Sequence, residues 1–201
     1  MVEAWKEALD GGLVHMRKNT DYLKHLSDYL DGTLTRKFPQ MELFEEALIR
    51  NYTFPGGYYN VNAALRGDIA MTDELAEYAA SLKTALDKLP NNSGTRFRGV
   101  GPDEGQILKD LPINGAYTSK GFYSVSYEEE IANIFRERNG GDVLVIVKTN
   151  SAKDITSVSS ASWEGELLHN SNINWRKLSE TQTVDAVTSE PITEIVLEQI
   201  N

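Results

Sequence analysis

The chain has 201 residues and carries 20 Lys plus Arg against 30 Asp plus Glu, a formal net charge of -10. This balance argues against a sequence-independent grip on nucleic acid, which requires an excess of cations. There is no cysteine, and the only histidines are His15, His25 and His169. A thiolate nucleophile and a disulfide framework are therefore excluded, and a zinc site of usual composition is not expected. No apolar run is long enough to span a membrane.

The first half of the sequence predicts helices. From Val2 to about Leu89, apolar residues recur at three- and four-residue spacing. Thr72 stands where the last of these helices would need an N-cap. The repeating residues, in chain order, are Trp5, Leu9, Leu13 and Met16; Tyr22, Leu26 and Tyr29; Met41, Phe44, Ala47 and Leu48; and Leu75, Tyr78, Ala79, Leu82, Leu86 and Leu89.

Beyond Pro90 the pattern changes to alternation and short apolar runs, which predict strands. One short amphipathic helix is predicted over 127–138, and a Ser-, Ala- and Thr-rich stretch over 151–162 is predicted to end as an exposed loop that leads to residue 164. Many short strands with few helices favour an α+β fold. We expect one domain over 1–201, with a helical lobe (1–90) and a β-rich core (91–201). The predicted strands are 95–100, 121–126, 143–148, 163–169, 184–187 and 192–200.

Two carboxylates stand two positions apart in Glu164-Gly165-Glu166, between Trp163 and an apolar Leu167-Leu168 pair. In an extended segment such residues point to the same face. An isolated pair of this kind is also what the solvent-facing side of an ordinary strand presents. The tripeptide therefore needs partners elsewhere in the chain before it indicates chemistry.

Two other short motifs occur ahead of this pair, each on a predicted strand: Arg98-Gly99, and Ser124-Val125-Ser126. Any one of the three is common by chance, but their joint occurrence in this order is specific. They resemble the Arg, Ser-x-Ser, Glu-x-Glu signature of the mono-ADP-ribosyltransferases, particularly bacterial exotoxin catalytic domains, effectors and related phage enzymes. The resemblance implies an ADP-ribosyltransferase fold, in which a helical lobe precedes a core of two packed, mainly antiparallel sheets.

Further segments resemble parts of the same family. Residues 59–67 resemble the helix from which an Asn and an Arg reach the dinucleotide, which implies Asn62 and Arg66 as NAD contacts. Phe135 and Arg138 resemble the Phe-x-x-Arg segment beside the nicotinamide and the phosphates. Alternatives remain open, because Arg66 would also be favoured as a helix C-terminal cation and Phe135 as a core residue of its helix.

The resemblance implies a reaction that breaks the bond between nicotinamide and ribose in NAD and transfers ADP-ribose, with NAD as co-substrate and no metal. The transition state of that reaction resembles an oxocarbenium ion, which a nearby carboxylate stabilises. The resemblance implies that Glu166 would take this role and contact the ribose 2′-hydroxyl. Ser124 would hold Glu166 by a hydrogen bond.

Three more residues are assigned to NAD by the same resemblance. Ser126 would support the nicotinamide pocket. Arg98 would pair with the phosphates or ribose through its fork of donors. Gly99 would leave backbone amides accessible to the nicotinamide carboxamide.

By the same resemblance, the residue type at position 164 indicates which side chain of the target accepts ADP-ribose. In this family, a Glu two positions before the catalytic Glu resembles arginine-modifying members, whereas a Gln there resembles asparagine-modifying ones. The carboxylate would orient the target guanidinium and accept its proton. Trp163 would be an exposed platform for the substrate protein, or else packed under the loop. It adjoins the first Glu, whereas the family's aromatic often stands a few residues earlier.

The leading hypothesis is a protein-arginine mono-ADP-ribosyltransferase that modifies a host protein. An NAD glycohydrolase toxin and a non-catalytic NAD-binding or interaction domain of the same fold are the alternatives. The expected partners are NAD and the target protein, with no nucleic acid. Whether the chain works as a monomer or with a toxin translocation component is open. The protein would be secreted or injected to act in the target-cell cytosol, or would be a phage enzyme in the infected bacterial cytoplasm.

Overall fold

The computed structural model describes residues 15–185 and 187–200. These residues pack into two units. The first contains the described residues up to Pro90 together with Ile155–Ser162, and the second contains Asn91–Asp154 and the residues from Trp163 onward. The predicted repeat at Trp5, Leu9 and Leu13 lies outside the described residues.

The first unit is helical, as predicted. Thr72 caps the last helix, because its hydroxyl accepts a hydrogen bond of 3.2 Å from the Leu75 amide. The apolar repeats are buried at Tyr22, Leu26, Leu82 and Leu86. After a 3₁₀ helix at Met16–Lys18, the described α-helices of this unit are α1 (Thr20–Leu30), α2 (Leu43–Tyr52), α3 (Pro55–Arg66) and α4 (Asp73–Asp87).

The second unit is built on a sheet of seven strands within the described residues. Two helices join them, α5 (Pro102–Asp110) and α6 (Glu129–Arg138). The strands are β1 (Asn92–Val100), β2 (Ala116–Ser119), β3 (Tyr123–Ser126), β4 (Val143–Asp154), β5 (Glu166–His169), β6 (Ile173–Val184) and β7 (Pro191–Ile200).

The predicted α+β class and mainly antiparallel pairing are confirmed. The strand order is β1-β3-β5-β4-β7-β6-β2, β1 also pairs with β4, and among these pairings only β4–β7 is parallel. The strands predicted as two packed sheets form one hydrogen-bonded sheet. The reason is the length of β4, which pairs with β1 and β7 along 143–148 and with β5 at Lys153 and Asp154.

Several predicted boundaries differ from the structure. The strand predicted over 184–187 is wrong, because Val184 is the last residue of β6 and Val187 is 86% exposed in the turn that follows. Asp185 shapes this turn by accepting hydrogen bonds of 2.8 Å from the amides of Val187 and Thr188. The prediction missed β2, α5 and most of β6, because exposed polar residues mask their periodicity.

The stretch 151–162 ends as a loop, as predicted, and Ser162 is exposed at its end, but most of it is less exposed than expected. Residues up to Asp154 continue β4, and the rest form an anchored turn in the first unit, where Ile155 and Val158 are buried. Arg50 of α2 donates from Nη1 to the carbonyl oxygens of Val158 at 3.2 Å and Ser159 at 3.3 Å. The Ser160 amide is likewise bound to the Thr53 hydroxyl at 2.9 Å.

The core of the second unit lies between the sheet and α5. Trp175 of β6 is fully buried there, and its indole nitrogen donates to the Ser119 hydroxyl at 3.1 Å. None of the helices among the described residues is long and apolar enough to cross a bilayer. The other buried residues of this cluster include Val100, Leu108, Tyr123, Val125, Val143, Val145, Val147, Leu167, Ile195 and Leu197.

A buried lysine of β6 binds the C-terminal end of α5. The ammonium of Lys177, which is 1% exposed, donates to the carbonyl oxygens of Leu108 at 2.8 Å and Leu111 at 2.7 Å, and to the Glu180 carboxylate at 2.6 Å. These carbonyls belong to the last turn of a helix, where no amide of the helix itself is available to them. The cation therefore satisfies backbone groups that would otherwise be buried without partners.

We expect Lys177→Met to lower the free energy of unfolding by about 3 kcal/mol, because it leaves several buried acceptors unpaired. Urea denaturation monitored by circular dichroism measures the change. Lys109→Met is the matched control: it removes only the ion pair with the exposed Asp142, which should be worth about 1 kcal/mol or less. Equal losses in the two variants would contradict this account of Lys177.

Candidate active site

The two glutamates of Glu164-Gly165-Glu166 lie in different backbone structures. Ser162–Glu164 forms a 3₁₀ helix, Gly165 has a φ of 55°, and β5 begins at Glu166. A positive φ is readily adopted by glycine, which has no Cβ. The prediction of a continuous strand over 163–169 is therefore wrong for its first three residues, and the carboxylates project from a turn and from the strand that follows it.

Ser126 ties this turn to the end of β3. Its hydroxyl donates to the carbonyl oxygen of Glu164 at 2.7 Å and accepts from the amide of Glu128 at 3.0 Å. The amide of Tyr127 donates to the carbonyl oxygen of Gly165 at 3.2 Å. The backbone that carries both carboxylates is thus held by hydrogen bonds from the strand beside it.

Glu166 and the two serines share one face of the sheet. In the β3–β5 pair, Ser126 lies opposite Glu166 and Ser124 lies opposite Leu168. Opposite residues and residues two apart on a strand project to the same face. The Ser124 hydroxyl is hydrogen-bonded to the Glu166 carboxylate. The buried Glu166, only 9% exposed, is therefore a hydrogen-bonded carboxylate at a fixed position.

Burial raises the pKa of Glu166 to about 7. The Ser124 hydrogen bond and the Arg98 cation favour the carboxylate and oppose this rise, whereas the neighbouring Glu164 adds to it. Burial also raises the pKa of Glu164, opposed by the charge of Arg138. Near neutral pH, Glu166 is therefore poised between its charged and neutral forms.

Arg98 of β1 contacts the site through the backbone of β3. Its Nη1 donates to the carbonyl oxygen of Ser124 at 3.0 Å, and its Nη2 lies 2.9 Å from Oε2 of Glu104. Its guanidinium also stacks over the ring of Tyr123, with Cζ 4.3 Å from the ring centroid. In this structure protein groups occupy part of its fork of donors, so a direct contact between Arg98 and NAD stays a prediction.

Gly99 allows α6 to lie against β1. A Cβ at this position would lie 1.9 Å from the carbonyl oxygen of Ala132 and 2.4 Å from the amide nitrogen of Arg136. Both distances are far shorter than any real contact, so a side chain would push the helix away. Close packing of α6 on β1 therefore requires glycine at position 99, independently of any contact with nicotinamide.

Three further predicted residues of the second unit lie at its surface or partly buried. Phe135 is half-buried on α6, and Arg138 is exposed one turn further on, with its Cζ 6.0 Å from the Phe135 ring centroid. Trp163 is 59% exposed. The alternative in which Trp163 packs under the loop is therefore wrong.

Asn62 and Arg66 lie on α3 in the first unit. The Asn62 amide donates to the Tyr52 hydroxyl at 2.9 Å. Arg66 is in the last turn of the helix and pairs with Asp68, with Nε 2.8 Å from Oδ2. The position of Arg66 agrees with the helix-terminal alternative, and the NAD contacts of both residues stay predictions.

The sequence analysis missed two residues that interact with Arg98. Glu104 binds Arg98, and the only sequence signal for it was a carboxylate in the first turn after Pro102. His169, at the end of β5, is fully buried, with its ring 5.1 Å from that of Trp175 and almost perpendicular to it. Burial, and then the Arg98 cation, lower the pKa of His169 to about 4. Across 15–185 and 187–200, no three His, Asp or Glu side chains gather as a metal site.

Comparison with known proteins gives one curated relative. No family model matches the chain. The chain is 31% identical over 131 residues to Tre1 of Serratia proteamaculans (strain 568), which is named an NAD(+)–protein-arginine ADP-ribosyltransferase. The match covers 65% of this chain but only 28% of Tre1, so the chain spans less than a third of that relative's length.

Solved structures of ADP-ribosyltransferases resemble most of the chain. Exoenzyme S of Pseudomonas aeruginosa, in complex with human 14-3-3 protein beta and Carba-NAD, has a TM-score of 0.69 at 22% identity, over 96% of this chain and 88% of that one. Vis of Vibrio splendidus, in complex with agmatine, has a TM-score of 0.66 at 23% identity, over 90% and 85%. The chain therefore has the ADP-ribosyltransferase fold, as predicted, and its sequence is similar to that of a protein-arginine ADP-ribosyltransferase.

The pKa values of His169 and Glu166 predict opposite effects of acid on stability. His169 has its pKa lowered to about 4 from 6.5, so the unfolded chain takes up this proton more readily and stability falls between about pH 6.5 and 4. Glu166 has its pKa raised to about 7 from 4.5, so the folded chain takes up this proton first. Its effect favours the fold as pH falls from about 7 to 4.5.

The quantity to compare is the unfolding free energy at pH 5 minus that at pH 7.5. We expect this difference to be more positive in His169→Phe than in the wild type. Glu166→Gln should change the same difference in the opposite direction. Urea denaturation at the two pH values measures it. If either variant keeps the wild-type difference, the pKa assigned to that residue is wrong.

Proposed function

We propose that this chain is a mono-ADP-ribosyltransferase that cleaves NAD and transfers ADP-ribose to an arginine of a target protein. The observation that carries the proposal is Glu166, a buried carboxylate hydrogen-bonded to Ser124 and joined by one glycine to a second carboxylate, Glu164. The name of Tre1 and the NAD-analogue and agmatine complexes of the structural relatives support it. We further propose that the protein is secreted or injected, with any translocation component still to be identified, and acts in the target-cell cytosol.

The chemistry of the site begins with departure of nicotinamide. The bond between the nicotinamide nitrogen and ribose C1′ breaks, the electron pair leaves with the nicotinamide, and positive charge develops on the ribose. The Glu166 carboxylate stabilises that charge and accepts a hydrogen bond from a ribose hydroxyl. Ser124 keeps the carboxylate oriented, so no reorganisation is needed as the charge forms.

Transfer to the acceptor requires a second carboxylate. A guanidinium nitrogen forms a bond to C1′ and loses a proton, which Glu164 accepts. Free guanidinium does not deprotonate near neutral pH, so a base beside it is needed. Glu164 suits this task because partial burial raises its pKa. Trp163, exposed one residue earlier, would stack on the target.

The remaining assignments extend this proposal over the chain. Asn62, Arg66 and Arg138 would contact the dinucleotide, Phe135 would lie beside the nicotinamide, and Ser126 and Gly99 would shape the nicotinamide pocket. Residues 1–201 would work as a single ADP-ribosyltransferase domain.

Two glutamine substitutions separate the two carboxylate roles. We expect Glu166→Gln to lower nicotinamide release by about 10²-fold or more, because it removes the charge that stabilises the transition state. Glu164→Gln should abolish ADP-ribose transfer to agmatine while keeping measurable nicotinamide release. Chromatography of nicotinamide and of ADP-ribosyl-agmatine measures both reactions.

The matched control is Glu130→Gln on the exposed side of α6, which should leave both reactions unchanged. Wild-type release of nicotinamide that agmatine or protein never converts into a transfer product would instead favour the NAD glycohydrolase. No NAD cleavage at all by the wild type would refute the enzyme.

The pH dependence of NAD cleavage tests the Ser124–Glu166 hydrogen bond. Because the carboxylate is the active form, kcat/KM should rise with pH through about 7, the pKa of Glu166. Ser124→Ala removes a bond that favours the carboxylate, so the acidic limb should move to higher pH. Ser93→Ala, at an exposed position of β1, serves as the control. If Ser124→Ala leaves the acidic limb of the kcat/KM profile at the same pH, the hydrogen bond does not affect the pKa of Glu166.

A further inference from the structure

Glu104 is the carboxylate that holds Arg98. It stands at the third position of α5, where an acidic side chain ordinarily interacts with the free amides of the first turn. Here it makes a two-point contact instead: Oε2 lies 2.9 Å from Nη2 of Arg98, and Oε1 lies 3.4 Å from Nε. Both side chains are about three-quarters buried, with 25% and 22% exposure, so the pair is screened less than a surface ion pair.

The backbone of α5 fixes where this carboxylate can reach. The next residue, Gly105, is buried, and a Cβ there would lie 3.1 Å from Cγ2 of Val143. Leu108, one turn further on, is fully buried in the core. The first turn of the helix therefore lies close against β4, and Glu104 has little freedom to follow Arg98 if the arginine moves.

Arg98 connects Glu104 to the active carboxylate. The edge of its guanidinium that Glu104 does not occupy donates to the carbonyl oxygen of Ser124 at 3.0 Å. Ser124 in turn is hydrogen-bonded to Glu166. The guanidinium is planar and rigid. A carboxylate bound to one of its edges therefore fixes the direction of the donors on the other edge.

We propose that Glu104 is a positioning residue, which orients Arg98 so that Arg98 holds the Ser124 backbone and, through Ser124, the Glu166 carboxylate. The proposal rests on the proposed function only in naming Glu166 as the carboxylate whose position matters. The role that it gives to Arg98 needs contacts with protein groups only, not with NAD. Glu104 touches neither substrate nor reacting atoms in this scheme.

The pKa of Glu166 distinguishes positioning from a plain charge effect. The charged groups around Glu166 are Arg98 from β1 and Glu164 from the preceding turn. Loss of the Glu104 charge alone would lower the pKa of Glu166 or leave it unchanged, since a negative neighbour is removed. Release of Arg98 and loosening of Ser124 would raise it, because both favour the carboxylate.

The test titrates Glu166 by carbon NMR of protein labelled at the glutamate carboxyl, with the resonance assigned from Glu166→Gln. We expect Glu104→Ala to raise the pKa of Glu166 by roughly half a unit or more. Glu104→Gln keeps an acceptor for Arg98 and should remain close to the wild type. Asp103→Ala, the exposed acidic neighbour in the same turn, is the matched control and should cause no rise. An unchanged or lowered pKa in Glu104→Ala would overturn the proposal.

Nicotinamide release provides the second measurement. We expect Glu104→Ala to lower kcat by about tenfold, which corresponds to a modest loss of transition-state stabilisation, and Glu104→Gln to recover most of it. Equal losses in Glu104→Gln and Glu104→Ala would also overturn the proposal, because the charge rather than the contact would then matter. If the wild type does not cleave NAD, the proposed function fails, but the titration still decides the role of Glu104.

Discussion

The hydrogen bond between the Ser124 hydroxyl and the Glu166 carboxylate is the interaction on which the site depends. A carboxylate removed from water loses its hydration and tends to take up a proton. The serine replaces one lost hydration contact, and Arg98 supplies a compensating charge from β1, on the far side of β3. Their effect is smaller than that of burial, so the carboxylate keeps a pKa near neutrality and can still ionise where the chemistry needs it.

Much of the second unit serves to hold that one contact in place. Ser126 and Tyr127 fasten the turn ahead of Glu166 through its backbone carbonyls, and Gly165 supplies the positive φ that the turn requires. On the other side, Arg98 holds the carbonyl of Ser124, while Gly99 lets α6 lie directly on β1. An acidic protein with a net charge of -10 thus places an arginine beside the carboxylate by local packing, not by its overall charge.

The sequence predicted the parts of this arrangement that depend on periodicity and on short motifs. Alternation placed Ser124 and Ser126 on one face of a strand, and the structure has them there. Alternation could not predict the 3₁₀ helix before Gly165, because Trp163-Glu164 also suits an extended strand. The turn is stabilised by hydrogen bonds from Ser126 and Tyr127, which periodicity does not show. The role of Glu104 could not be predicted either, because its partner Arg98 belongs to a different element and only the folded chain brings them together. The strand β6 was missed because its exposed face is a long polar run.

In the function proposed above, these carboxylates join ADP-ribose to a guanidinium. The most direct test of this function is mass spectrometry of target-cell proteins after reaction with the chain and NAD, with fragmentation that locates the modified residue. We expect one ADP-ribose on an arginine side chain, present with the wild type and absent with Glu164→Gln. ADP-ribose on a residue other than arginine, or on arginine in equal yield with Glu164→Gln, would contradict it.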